Sequence, residues 1–238
     1  MFIKKNLLKT LRASALFKNI NDSLIQDILN KSKIVEFEKK KVFSENELKN
    51  SIFIVLNGMV KSYQVNPYNG KAYTIFLFNK SEVFDIITFV DKEKHGVIFE
   101  TLEKTLLLKI SHNTLNSCIT KESKLNQNII SLLSSMFLKL EQNTTELALY
   151  DTFTRLSKLI LRNISIKPIL SRKLTPKVKL NALDKLSHED LANLIGTARE
   201  VVSRHIKTLK EKNILETVEK KHHIINIQSL IKQCDLDV

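Results

Sequence analysis

Read only as apolar and polar positions, the chain changes rhythm three times. From Leu7 to Lys31 the apolar residues recur at helical intervals, and Asn21-Asp22-Ser23 offers capping side chains just before Leu24, Ile25, Ile28 and Leu29. That pattern predicts a helical entry segment. From Ile34 to Ile110 the texture becomes short runs rich in Val, Ile, Phe and Tyr, among them Ser51–Leu56, Val60–Val65, Ala72–Phe78 and Thr105–Ile110. Such runs predict strands, and Asn69-Gly70 between two of them signals a hairpin, since both residues accept the positive φ of a tight turn. The expected result is an antiparallel β-sandwich or barrel.

Gly and Pro are then absent from Lys121 to Asn163, and Leu125, Ile129, Leu132, Met136, Leu140 and Leu147 recur three, four or seven residues apart. One long helix is predicted, with a break into a shorter helix at Tyr150-Asp151-Thr152. An apolar stripe of this kind either packs on its own domain or pairs with a second copy of itself. A stripe usually packs on its own domain, but at about seven turns it suits pairing equally, and for that case Leu125, Ile129, Leu132, Met136 and Leu140 are the expected dimer contacts. The segment Ile164–Leu186 holds Pro168 and Pro176, with Lys177–Leu180 as a short strand, and carries the chain into a second domain. Boundaries are expected at residues 1–120, 121–150 and 151–238.

The most informative stretch lies in that second domain. Ser187 is an N-cap type, Asp190 follows three residues later, and Gly196 suits the left-handed turn after a short helix. A second helix begins at Thr197 or Ala198 and runs through Leu209. Small Ala192 permits a close crossing, while Leu191, Ile195, Val202, Ile206 and Leu209 supply a shared core. This is the pattern of a helix-turn-helix, whose second helix enters the major groove. Two β-like runs, Ile214–Val218 and His223–Ile227, follow around the charged turn Glu219-Lys220-Lys221-His222 and make a wing. Arg199, Glu200, Ser203 and Arg204 share one side of the second helix and are base-reading types, with Thr197 and His188 flanking them at the turn and at the start of the first helix. The bland alternative is that Glu200 and Arg204 form only a surface ion pair.

Charge adds less than it first suggests. The net charge of +13 and pI of about 9.6 favour polyanionic partners, yet only 5 of those charges lie beyond residue 166, where 14 Lys and Arg stand against 9 Asp and Glu. Two cysteines, Cys118 and Cys234, exclude a disulfide framework and a local metal or redox pair. With neither a signal-peptide pattern nor an apolar run of membrane length, the protein is expected to be cytoplasmic. No Ser/His/Asp set, Gly-rich phosphate loop or His and carboxylate cluster appears, so an enzyme is not expected.

At this point the sequence resembles the family of the cAMP receptor protein and the fumarate-nitrate regulator over nearly its whole length. Leu11–Leu24 is similar to the family's opening segment, Ile52–Gly58 to its sensor strand, Tyr150–Leu156 to its passage into the DNA-binding domain, and Gly196–Arg204 to its recognition helix. The resemblance implies an α+β fold: an N-terminal β-roll of the cyclic-nucleotide-binding type, a long dimerisation helix and a C-terminal winged helix-turn-helix. It implies a homodimer on double-stranded DNA, with RNA polymerase as a further partner if the protein activates. Glu-x-x-Ser-Arg is the fumarate-nitrate type of reader and implies TTGA-like half-sites; a winged helix serving RNA or protein contact is the alternative.

Departures from the family pattern narrow the signal. The cyclic-nucleotide cassette, a Gly-Glu pair followed by Arg-Ser or Arg-Thr, is replaced by Asn79–Phe89 and Lys94–Phe99 with no such Arg, so cAMP is not the expected effector. The N-terminal cysteine cluster of the iron-sulfur branch is absent. What remains resembles branches that answer nitric oxide, haem or small metabolites, including nitrosative or redox stress, or that use no ligand; the cofactor stays open. Cys118 reads as a small buried hydrophobe before a redox sensor. His95, His112, His222 and His223 are isolated, and no metal ligand is assigned. Phe76, Phe78, Phe84, Phe89 and Phe99 read as core before effector pocket.

Overall fold

In the computed structural model, residues 2–91, 96–164, 178–179, 182–218 and 221–234 are described. They divide into two compact units, the first of residues 1–64 and 75–141, the second of residues 65–74 and 142–238.

The first unit opens with helices α1 (Phe2–Arg12) and α2 (Asp22–Asn30). Asn21 stands at the N-cap of α2 without a side-chain cap bond; Arg12 instead pairs with Asp22 at the helix start, where an acid also meets the positive end of the helix dipole. Strands β1 (Lys33–Phe37), β7 (Thr105–Ser111), β2 (Ser51–Asn57) and β5 (Val83–Phe84) form one sheet in the order β1-β7-β2-β5. Strands β3 (Val60–Val65), β4 (Ala72–Phe78) and β6 (Ile98–Thr101) form a second sheet in the order β4-β3-β6. Short helices α3 (Glu45–Leu48), α4 (Ile86–Asp91) and α5 (His112–Ile119) interrupt the strand-rich region.

Strand β2 explains how one apolar run serves two cores. Because side chains alternate between faces, Ile52, Ile54 and Leu56 enter a cluster with Leu11, Phe17, Ile25 and Ile110, whereas Phe53 and Val55 enter an aromatic cluster. In the second cluster Phe53 stacks on Phe84 at 5.0 Å and Phe84 packs on Phe99 at 5.1 Å, with Phe43 and Phe78 edge-on or tilted around them. The phenylalanine-rich strands thus build core, while Phe89 is only partly buried, against His112.

The hairpin between β3 and β4 turns through four residues rather than two. Asn66 donates its NH to Lys71 O, and its side-chain oxygen accepts from Tyr68 and Asn69, so an Asn side chain organises the turn ahead of Gly70. Gly70 takes the positive φ, +69°, while Asn69 does not.

Helix α6 (Lys124–Leu149) corrects the expected dimer stripe. Leu125 is 0% exposed and Ile129 5%, both inside the first unit's own core, and Leu132 and Met136 pack against it. Asn128, lying in the same strip, donates to the carbonyls of Leu16 and Lys18 at 2.9 Å each. Four of the five predicted contacts therefore face the helix's own domain; Leu140 alone is exposed. The ridge left to solvent is Ile130, Phe137 and Leu138, each more than 60% exposed.

The second unit holds the last turns of α6, α7 (Thr152–Arg162), α8 (His188–Ile195), α9 (Arg199–Glu211), α10 (Ile227–Lys232) and the sheet β8-β10-β9, of Val178–Lys179, Lys221–Ile224 and Leu215–Val218. Asp151 caps α7 by accepting from Thr154 N, which accounts for the break at that point. Glu146, nearly buried, forms a two-pronged pair with Arg162 at 2.5 and 3.1 Å. The second wing strand starts and stops earlier than His223–Ile227, because Asn226 accepts from Ser229 N and caps α10. Pro168, Pro176, Glu219 and Lys220 lie outside the described residues.

Candidate nucleic-acid interface

The two-helix element of the second unit is built from its caps inward. Ser187 accepts from Asp190 N at 3.1 Å while the Asp190 carboxylate accepts from Ser187 N at 3.1 Å, so α8 begins with both orphan donors met. At its other end Gly196 sits at φ +66°, a conformation that costs other residues strain. A Cβ there would stand 2.9 Å from Leu147 Cδ2, the movable end of a partly exposed side chain, so it is the backbone conformation that reserves this position for glycine. Leu191, Ala192, Ile195, Val202, Ile206 and Leu209 are all buried between α7, α8 and α9. Every core residue expected of a helix-turn-helix is in place.

Burial of that face decides what α9 leaves outside. Arg199, Glu200 and Arg204 are exposed, Thr197 and Ser203 half-buried, and together they form the outward strip. No ion pair joins Glu200 to Arg204 among the described residues, whereas Lys207 does pair with Glu211 on the same helix. Glu200 and Arg204 are thus left without the surface pairing that offered the bland explanation. Lys207 and Lys210 extend the basic character along the exposed side of the helix.

Of three histidines around the element, sequence reasoning places His188 at the DNA face, leaves His222 unassigned and misses His205. His188, the first residue of α8, is half-buried with Nδ1 2.8 Å from Ser203 Oγ. His205 belongs to α9 but turns inward, with Nε2 2.8 Å from Thr152 Oγ1 and its ring edge-on to Phe153 at 5.2 Å. His222 lies in β10, its NH donated to Asp184 at 2.9 Å. The only sequence signal for these roles is spacing: residue 205 is three beyond buried Val202, on the inward flank.

Burial is the largest cause holding each of these imidazoles below the ordinary value of 6.5; Arg199 and Lys210 add to it at His188, Arg204 at His205 and Lys210 at His222. The folded state therefore prefers the neutral rings. Their contribution to stability is complete above the ordinary value and is lost as pH falls through the depressed ones. The unit's thermal midpoint is expected to be flat from about pH 8 to 7 and to fall as the pH drops below about 6.5. Scanning calorimetry checks this; a midpoint that rises on acidification would reverse the sign.

Among the described residues no cluster of three His, Cys, Asp or Glu is placed to hold a metal, and no helix is long and apolar enough to cross a membrane. Cys118 and Cys234 are both buried.

Comparison with known proteins matches this geometry. The cyclic nucleotide-binding domain family matches residues 35–122, and the Crp-like helix-turn-helix domain family residues 154–232. The global nitrogen regulator of Synechocystis sp. is 26% identical over 228 residues, spanning 92% of this chain and 94% of that protein. The cyclic AMP receptor protein of Thermus thermophilus is 23% identical over 176 residues, spanning 74% and 76%. A CooA variant from Carboxydothermus hydrogenoformans shares the fold with a TM-score of 0.71 at 19% identity, over 97% of this chain and 96% of that one. With a roll of the cyclic-nucleotide-binding type, a long helix and a winged helix-turn-helix in that order along one polypeptide, the chain belongs to the Crp/Fnr family of DNA-binding transcriptional regulators.

Proposed function

We propose that the protein binds an inverted-repeat operator as a homodimer and is controlled by a signal other than cAMP. The observation that carries the reading is the division of α9: Val202, Ile206 and Leu209 are buried, and Arg199, Glu200 and Arg204 stand outward and unpaired with one another. Arg204 has two parallel donors that suit guanine O6 and N7, and the Glu200 carboxylate suits the N4 amino group of cytosine. They lie one helical turn apart and reach neighbouring base pairs. Ser203 is short enough to lie beside a thymine methyl, and Arg199 is available to phosphate or a further guanine. The family resemblance of Glu200–Arg204 then favours TTGA-like half-sites.

Two-fold symmetry comes from α6. Ile130 and Phe137 are seven residues apart with Leu138 beside them, which puts three large exposed apolar side chains along one strip of a helix about 39 Å long. A second copy of the same helix is the self-complementary partner for such a strip. This reading replaces the Leu125, Ile129, Leu132 and Met136 stripe and retains only Leu140 from it.

Selection of binding sites from random duplexes tests the operator, run once with and once without cAMP. The expected outcome is a TTGA-containing inverted repeat with half-sites about one helical turn apart, unchanged by the nucleotide. Recovery of no inverted repeat removes the operator reading, and a repeat that appears only with cAMP removes the signal reading.

A further inference from the structure

A side-chain hydrogen bond joins His188 of α8 to Ser203 on the outward strip of α9, with Nδ1 and Oγ 2.8 Å apart. Either atom can give or receive the hydrogen, and which one does so decides what Ser203 has left for DNA. With the imidazole neutral and its proton on Nε2, Nδ1 accepts, the Ser203 hydrogen is used up, and Oγ presents lone pairs to the groove. That oxygen can accept from adenine N6 or cytosine N4. With the imidazole protonated, Nδ1–H donates to Oγ and the hydroxyl hydrogen is released. It can then be donated to guanine O6 or N7, or to thymine O4.

We propose that His188 is a positioning residue that sets the polarity of the Ser203 hydroxyl, so that the base preferred opposite Ser203 changes with pH. The inference rests on α9 being the recognition helix. The charged and titratable groups around His188 are Arg199 and Lys210 from α9, His222 from β10 with Asp184 behind it, and Glu189 and Asp190 on its own helix. In the free protein burial and the two cations favour the neutral ring, and the proposal assigns its proton to Nε2, so that Nδ1 accepts from Ser203. Duplex phosphates arriving at this face bring the opposite charge and favour the protonated ring, so protonation and DNA binding promote one another. The exchange of base preference is therefore expected to fall nearer to neutral pH in the complex than the free protein's environment implies.

The experiment uses the full chain and the selected inverted repeat, randomised at the base pair whose preference is flattened by Ser203→Ala. Relative affinities for the four bases are measured at about pH 8 and pH 6, with unfolding monitored at both. The wild-type ratio of A or C over G or T is expected to fall about fivefold on acidification, the effect of one hydrogen bond changing direction. His188→Asn still gives and receives hydrogen bonds but does not titrate, and its ratio is expected to be the same at both pH values. A wild-type ratio that does not move, or an Asn variant that shifts as the wild type does, overturns the proposal. If the inverted repeat is bound and Arg204→Ala relaxes its guanine while the ratio stays fixed, the operator reading stands and only the His188 role fails; loss of the repeat altogether removes both.

Discussion

Phe137→Asp is expected to raise the dimer dissociation constant by about two orders of magnitude, while Leu125→Ala is expected to lower unfolding stability by about 2–5 kcal/mol without acting on the seam. The two residues lie on one helix and look alike in sequence, but their surroundings are opposite. Phe137 is 68% exposed in the single chain, and in the proposed dimer a second copy of α6 covers it. A charge there would be buried unpaired in the pair of helices, a penalty of about 3 kcal/mol, which corresponds to the stated hundredfold. Leu125 is 0% exposed among Leu16, Ile25 and Leu115, and its truncation leaves a cavity that the surrounding strands and helices cannot fully close. Sedimentation at micromolar concentration reads the first effect and urea titration the second. Full dimerisation of Phe137→Asp would remove α6's outer ridge as the seam, and a dimer weakened by Leu125→Ala with no loss of stability would return the seam to the inner stripe.

Arg204→Ala is expected to cost about 1–3 kcal/mol of operator affinity and to relax preference at the guanine of each half-site. The guanidinium is exposed and not tied to Glu200, so its donors are available at no cost of breaking an internal pair. Its neighbours Val202 and Ile206 anchor the helix on the other side, so the substitution removes a contact and leaves the scaffold in place. Neutralising Lys207 makes the control, since a phosphate contact weakens binding to all duplexes alike and lowers the salt dependence. Site selection with each variant distinguishes the two effects: an unchanged guanine preference in Arg204→Ala would take this side chain out of base reading.

Much of the architecture was legible in local chemistry. The extents of β3 and β4 follow from their runs of Val, Tyr and Phe, the break at Asp151 from a capping carboxylate, and the whole of α8 from Ser187, Asp190 and Gly196. These are short-range effects: a cap, a turn or an alternation is decided by residues within about four positions of one another. The helix-turn-helix belongs to the same class, because its core residues and its exposed side chains are separated by the helical period alone.

What the tertiary structure decided is which of two adjacent apolar strips on α6 meets its own domain. Leu125, Ile129, Leu132 and Met136 share a helical period with Ile130 and Phe137, and periodicity counts both strips without saying which one the roll covers. Asn128 held the one local hint, since an amide within an apolar stripe needs partners, and it finds them in the carbonyls of Leu16 and Lys18, over 100 residues away in the chain. The same holds for residues 65–74, which group with the helix-turn-helix unit although they comprise the end of β3, its turn and the start of β4, and for the His188–Ser203 bridge. Each depends on contacts between segments far apart in sequence, and hydrophobic burial, being non-directional, selects among such contacts only once the elements are packed together.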